Sequence, residues 1–81
     1  MAANTFHLII ASVGQTVFDG AALSATLPGE DGIFEILPHH EPLVATLKRG
    51  EIAVRAGDET KTYRIEHGVL EISGNRAIVL L

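Results

Sequence analysis

The residues best equipped for chemistry stand together. The stretch GEDGIFEILPHHEP, residues 29 to 42, sets two adjacent histidines and four carboxylates between glycines and prolines. His39, His40 and Glu41 are of metal-ligating type, and a zinc or iron site needs three such side chains converging on one point at about 2 Å. Adjacent side chains on an extended segment point to opposite faces, and Pro38 and Pro42 keep the residues before them extended. A small cupin-like metal-binding β-barrel is therefore the alternative reading of this stretch. Its fit is poor, because such a barrel offers His-x-His with a later Glu and a distant second His. The plainer expectation is that His40 ties down the Pro38 to Pro42 corner by a hydrogen bond while His39 faces water. Asp31 and Glu35 could pair as a glycosidase acid and base only inside a cleft, which a domain this small hardly has the bulk to form.

Other chemistries lack their residues. There is no cysteine, so no thiol nucleophile, disulfide framework or thiolate metal site is available. No Gly-x-Ser-x-Gly elbow, phosphate loop, dinucleotide fingerprint or calcium loop is present. A lipoyl or biotinyl carrier presents its lysine at a tight hairpin tip, which neither Lys48, followed by Arg-Gly, nor Lys61 reproduces. Six basic and ten acidic side chains give a net charge of −4, the wrong sign for a nucleic-acid partner, which needs clustered Lys and Arg. Neither a signal-peptide pattern nor the roughly 20 apolar residues of a membrane span appears; a soluble protein is expected.

The elements that must position these residues are strands. Eight Gly and three Pro divide the chain into pieces too short for long helices, and within the pieces the apolar residues recur every second position. Phe6, Leu8 and Ile10 alternate with His7, Ile9 and Ala11, and Tyr63 and Ile65 with Arg64 and Glu66. Ala56-Gly57-Asp58-Glu59-Thr60 and Ser73-Gly74-Asn75-Arg76 carry turn chemistry and predict hairpins. Strands are expected near 6–12, 15–18, 21–28, 33–37, 43–47, 51–56, 61–66, 69–73 and 76–81. The expected core is Phe6, Leu8, Ile10, Leu27, Ile36, Leu43, Ile52, Val54, Ile65, Leu70, Ile72 and Val79. Ala77 to Leu81 is apolar on both faces, which predicts a strand covered on both sides or one next to a sheet that continues. Short strands with close turns predict an all-β, antiparallel β-sandwich, and 81 residues allow one core, hence a single domain over residues 1–81.

The order of motifs is more specific than the pattern. An opening strand leads to Val17-Phe18-Asp19-Gly20; Gly29-Glu30-Asp31-Gly32 runs through Ile36-Leu37-Pro38 into His40-x-Pro42-Leu43 and Leu47-Lys48-x-Gly50; Gly68-Val69-Leu70-Glu71-Ile72 precedes the last strand. This resembles the N-terminal domain of the ε subunit of rotary F-type ATP synthases, the δ subunit in mitochondria, from about residue 5 to the end. Glu35 stands where that family usually has Gly. The family commonly continues into a C-terminal helical hairpin that inhibits ATP hydrolysis, whereas this sequence reads to Leu81, so the sandwich without the hairpin is expected.

The resemblance implies a sandwich of about ten short strands at the foot of the central stalk. It would bind the γ subunit, rest on the c-ring and touch the catalytic αβ assembly only indirectly. It implies no catalysis and no cofactor, but a part in coupling proton or sodium flow to ATP synthesis. It places the protein peripherally on the cytoplasmic face of a bacterial inner membrane, or the equivalent organelle membrane. Glu30, Asp31 and Gly32 would then meet the c-ring loops, and Pro38, His40 and Pro42 would form a structural corner.

Overall fold

The computed structural model describes residues 4–81; residues 1–3 of the expected domain lie outside it. Among the described residues nine strands are formed, one for each range expected from the pattern and close to the ten or so that the resemblance implies: β1 Phe6–Ser12, β2 Gln15–Ala22, β3 Ser24–Gly29, β4 Gly32–Ile36, β5 Leu43–Leu47, β6 Gly50–Ala56, β7 Glu59–Ile65, β8 Gly68–Ser73 and β9 Arg76–Leu80. The expected break after residue 18 does not occur. Gly20 stays in β2 opposite Leu8, and the ring of Phe18 lies along the space its side chain would fill. The break falls instead at Leu23, whose N–H donates to the Arg55 carbonyl at 2.7 Å.

The strands run β2-β1-β9-β8-β5-β3-β6-β7, with β4 added on β3. One half is thus β2-β1-β9-β8-β5, the other β4-β3-β6-β7, joined where Gly29 of β3 meets Leu47 of β5. The pairing corrects the antiparallel expectation at one place: β1 and β9 are parallel, from His7 opposite Arg76 to Ala11 opposite Leu80. Hairpins can only make antiparallel neighbours; these two strands come from the two ends of the chain, so no short turn dictates their direction. On the far side Phe18 of β2 meets Tyr63 of β7 edge-to-face, centroids 6.2 Å apart, with the Lys61 ammonium 5.9 Å from the Phe18 ring. That contact closes the two halves along one seam.

The alternation places one apolar row from each half inside. Phe6, Leu8, Ile10, Leu27, Ile36, Ile52, Val54, Ile65, Leu70, Ile72 and Val79 are buried as expected, and no polar or charged side chain joins them among the described residues. Leu43 is only half-buried, whereas Leu47, at the other end of β5, is fully inside. Each such aliphatic side chain contributes about 1.5–3 kcal/mol by leaving water, so the core holds the loops rather than the reverse.

The register sorts the turns into two ends. Val13-Gly14, Glu30-Asp31, Lys48-Arg49 and Glu66-His67 share one end; Leu23, Leu37 to Pro42, Gly57-Asp58 and Gly74-Asn75 share the other. The chemistry-bearing stretch is therefore split. Its acidic tip and its histidines lie at opposite ends of a body measuring 37 × 24 × 21 Å.

Candidate partner-docking site

The acidic tip is shaped by its glycines. Gly29 and Gly32 face each other as the last pair of the β3–β4 hairpin, leaving Glu30 and Asp31 as the two turn residues. Gly32 has φ +136, a conformation that favours glycine. A Cβ on Gly29 would stand 2.7 Å from the Gly32 carbonyl oxygen and 2.7 Å from the Phe34 ring. The turn is also anchored sideways: Glu30 N–H donates to the Thr46 carbonyl at 3.0 Å, and Lys48 N–H to the Pro28 carbonyl at 2.9 Å. The carboxylates of Glu30 and Asp31 are exposed and make no hydrogen bond or ion pair among the described residues. The result is a stiff backbone carrying two free negative charges beside an open groove of about 380 Å³ between the hairpin and β5.

The histidine corner is built differently. His39 N–H donates to Asn75 Oδ1 at 2.7 Å, and Asn75 Nδ2 donates to the Thr5 carbonyl at 3.0 Å. The Asn75 carbonyl in turn accepts from His7 N–H at 3.2 Å. Two distant chain segments thus converge on one asparagine, which itself holds φ +59, while His39 holds φ +65. The place of Asn75 in Ser73-Gly74-Asn75-Arg76 predicts a turn residue at positive φ, as found, whereas its bonds to the distant Thr5 and His39 have no local signal. The hydrogen bond expected of His40 is present but local, from ring Nδ1 to the Glu41 carbonyl at 2.7 Å. His39 is exposed, as expected, yet its ring Nε2 lies 3.2 Å from Asn4 Oδ1. Pro38 is half-buried and Pro42 exposed. The two imidazoles serve separate contacts, and no three His, Asp or Glu side chains among the described residues gather where a metal could bind. The cupin-like alternative is not favoured. Glu35 sits mid-β4 opposite Thr26 with an exposed side chain and no positive φ, so the departure from Gly is accommodated by ordinary strand geometry.

A third feature is the outward side of β5-β8-β9-β1. The register aligns Thr46, Val69, Leu80 and Ala11 in one row and Val44, Glu71, Ile78 and Ile9 in the next. Val44 is 70% exposed, Leu80 59% and Val69 46%. The two-sided apolarity of residues 77 to 81 is explained here: Ala77 and Val79 fill the core, while Ile78 and Leu80 face outward with nothing over them among the described residues. Glu71 stands between Val44 and Ile78 in the second row; around it Val44, Val69 and Leu80 form an exposed apolar cluster of the kind that suits a partner.

Comparison with known proteins agrees with this geometry. Residues 5–81 match the family described as the ATP synthase, Delta/Epsilon chain, beta-sandwich domain. The ATP synthase epsilon chain of Chlorobium limicola is 40% identical over 76 residues, covering 93% of this chain and 86% of that protein. That of Leptospira interrogans serovar copenhageni is 38% identical over 80 residues, covering 99% of this chain but 63% of the relative, so the chain spans under two thirds of that longer protein. Among solved structures, a chain of the Euglena gracilis mitochondrial ATP synthase superposes with a TM-score of 0.88 at 18% identity, over 95% of this chain and 50% of that one. A chain of the Tetrahymena thermophila mitochondrial ATP synthase central stalk and c-ring superposes with a TM-score of 0.76 at 12% identity, over 91% and 60%. Identity over nearly the whole sandwich and the same strand architecture lead to one conclusion: the chain belongs to the ATP synthase delta/epsilon family, through its β-sandwich domain.

Proposed function

We propose that this chain works as a rotor part of an F-type ATP synthase, a single non-catalytic sandwich that joins the γ subunit to the c-ring at the foot of the central stalk. The observation that carries the reading is the family match over residues 5–81, on a molecule whose exposed features suit docking rather than catalysis. The solved relatives come from F1/c-ring and central-stalk assemblies, which supports the same partners here. The outward apolar face around Val44, Val69 and Leu80 has the character of a permanent protein interface and is the surface offered to γ. The tip Glu30-Asp31-Gly32 is the surface offered to polar c-ring loops. Its two carboxylates can accept charge-assisted hydrogen bonds from Arg. Pro38, His40 and Pro42 belong to the corner at the other end, with Asn75 as its centre.

In this arrangement affinity comes from the apolar face, and the exposed charges steer and register the foot on the ring. A solvent-exposed ion pair gives only about 0.2–1 kcal/mol and weakens with salt. The chain would sit peripherally at the membrane through the complex, on the cytoplasmic face in a bacterium, and would assist coupling of proton or sodium flow to ATP synthesis without a cofactor. The test is reconstitution. Membranes whose ATP synthase has been stripped of its ε chain should regain ion-driven ATP synthesis when this chain is added; a chain that neither binds γ with the c-ring nor restores synthesis would end the reading.

A further inference from the structure

One sheet edge inside the groove is left open. Thr46 directs its carbonyl to Glu30 N–H, away from β8, so by the two-residue alternation of a strand the Thr46 N–H and both backbone groups of Val44 point the same way. By the same alternation Leu43, Ala45 and Leu47, which stand opposite Ile72, Leu70 and Gly68, are the residues whose backbone groups point to β8. β3 touches β5 only at Gly29 opposite Leu47 and then departs to pair with β6. From Leu43 to Thr46, then, the groove side of β5 has no neighbouring strand, and among the described residues nothing takes the Val44 N–H or carbonyl. Phe34 and Gly32 border the opposite wall, Glu30 and Asp31 stand at the mouth, and no basic side chain lines the groove. Lys48 and Arg49 lie on the next turn, outside it.

We infer that this edge accepts an extended segment of a rotor partner as an added strand, with a Lys or Arg of that segment against Glu30 and Asp31. The inference rests on the proposed function and on continuity with the tip surface assigned there. Unpaired edge groups supply main-chain hydrogen bonds, as in other cases of strand addition, and the uniformly negative mouth selects a basic segment. The exposed Val44 side chain lets the same strand bridge the outward apolar face and the groove.

Amide hydrogen exchange tests this on the chain bound to a γ–c-ring complex stripped of its own ε chain. The Val44 and Thr46 amides should exchange freely in the isolated chain and slow by about tenfold or more in the complex. Val44→Pro removes one groove-facing donor at an edge that tolerates proline and should weaken binding several-fold. Val44→Ile, which keeps both the donor and an apolar side chain on the outward face, should weaken binding far less than Val44→Pro; equal weakening by the two would overturn strand addition. The Ala45 and Leu47 amides report whether the proline variant keeps its β8 pairing; if it does not fold, exchange in the native chain decides. Binding with Val44 and Thr46 still exchanging freely would overturn strand addition while leaving the rotor reading intact. Absence of binding would overturn both. Slowing that appears in the chain alone as its concentration rises would assign the edge to a second copy and overturn the inference.

Discussion

The Glu30-Asp31 tip and the Leu37 to Pro42 corner lie within fourteen residues of sequence, yet they solve opposite problems. At the corner, polar groups are turned on one another. Asn75 accepts from His39 N–H, donates to Thr5 and offers its carbonyl to His7, and both imidazoles have a neighbour. At the tip, the backbone is fixed by two glycines and a bond to Thr46, while the charged side chains have no partner among the described residues. Polar groups that satisfy each other hold a fold together. Charges held rigidly and left unanswered are available to another molecule. The comparison separates structure from function within one motif.

Substitutions should separate the two regions in order of size. The largest effect is expected at the tip's backbone: Gly29→Ala forces a Cβ against the Gly32 carbonyl and the Phe34 ring, an overpacking that costs about 1–3 kcal/mol. Thermal denaturation should fall by roughly 4–8 °C per kcal/mol for a domain of this size. An unchanged melting temperature would mean that the hairpin flexes and the tip is not stiff.

Asn75→Ala comes next. It leaves His39 N–H and the Thr5 carbonyl without their bonds, a loss of about 1–3 kcal/mol if both groups stay away from water. Asn75→Asp, which keeps the acceptor for His39, should recover part of that loss, as followed by urea denaturation. Equal effects of the two changes would show that the Oδ1 bond is not what closes the corner.

The histidines should matter less. His40 bonds only to the adjacent residue, so His40→Ala should cost under about 1 kcal/mol. His39→Gly relieves a positive φ and should leave stability unchanged or raise it by up to about 1 kcal/mol. A clear drop for His39→Gly would show that its ring contact to Asn4 outweighs the backbone.

Much of this was legible beforehand, and the failures have physical causes. The period of two placed Phe6, Leu8, Ile10, Ile65 and Ile72 correctly, because alternation is a property of each strand alone. The parallel pairing of β1 with β9 was not legible, since no local signal links residues as far apart as His7 and Arg76. Asn75 was hidden for the same reason: its partners Thr5 and His39 are distant in sequence, and only the fold brings them to it. The break expected between 18 and 21 is absent because pairing decides it: Asp19 and Gly20 stay in register opposite Ile9 and Leu8. For residues 77 to 81 the two-sided apolarity leaves two readings open, a strand covered on both faces or one next to a sheet that continues; β9 has the second, lying between β1 and β8, and its outward side chains stay exposed or half-buried.

The central claim is that the Glu30-Asp31 tip meets the c-ring while the corner at the other end does not. The chain contains no cysteine, so a single one introduced at position 30 or 31, or at 40 as control, reports its surroundings without interference. With a cysteine in the c-ring loop of an assembled enzyme that still synthesises ATP, oxidation should crosslink position 30 or 31 to the ring and leave position 40 free. Crosslinking at 40 and none at 30 or 31 would place the ring at the opposite end of the sandwich and contradict the account.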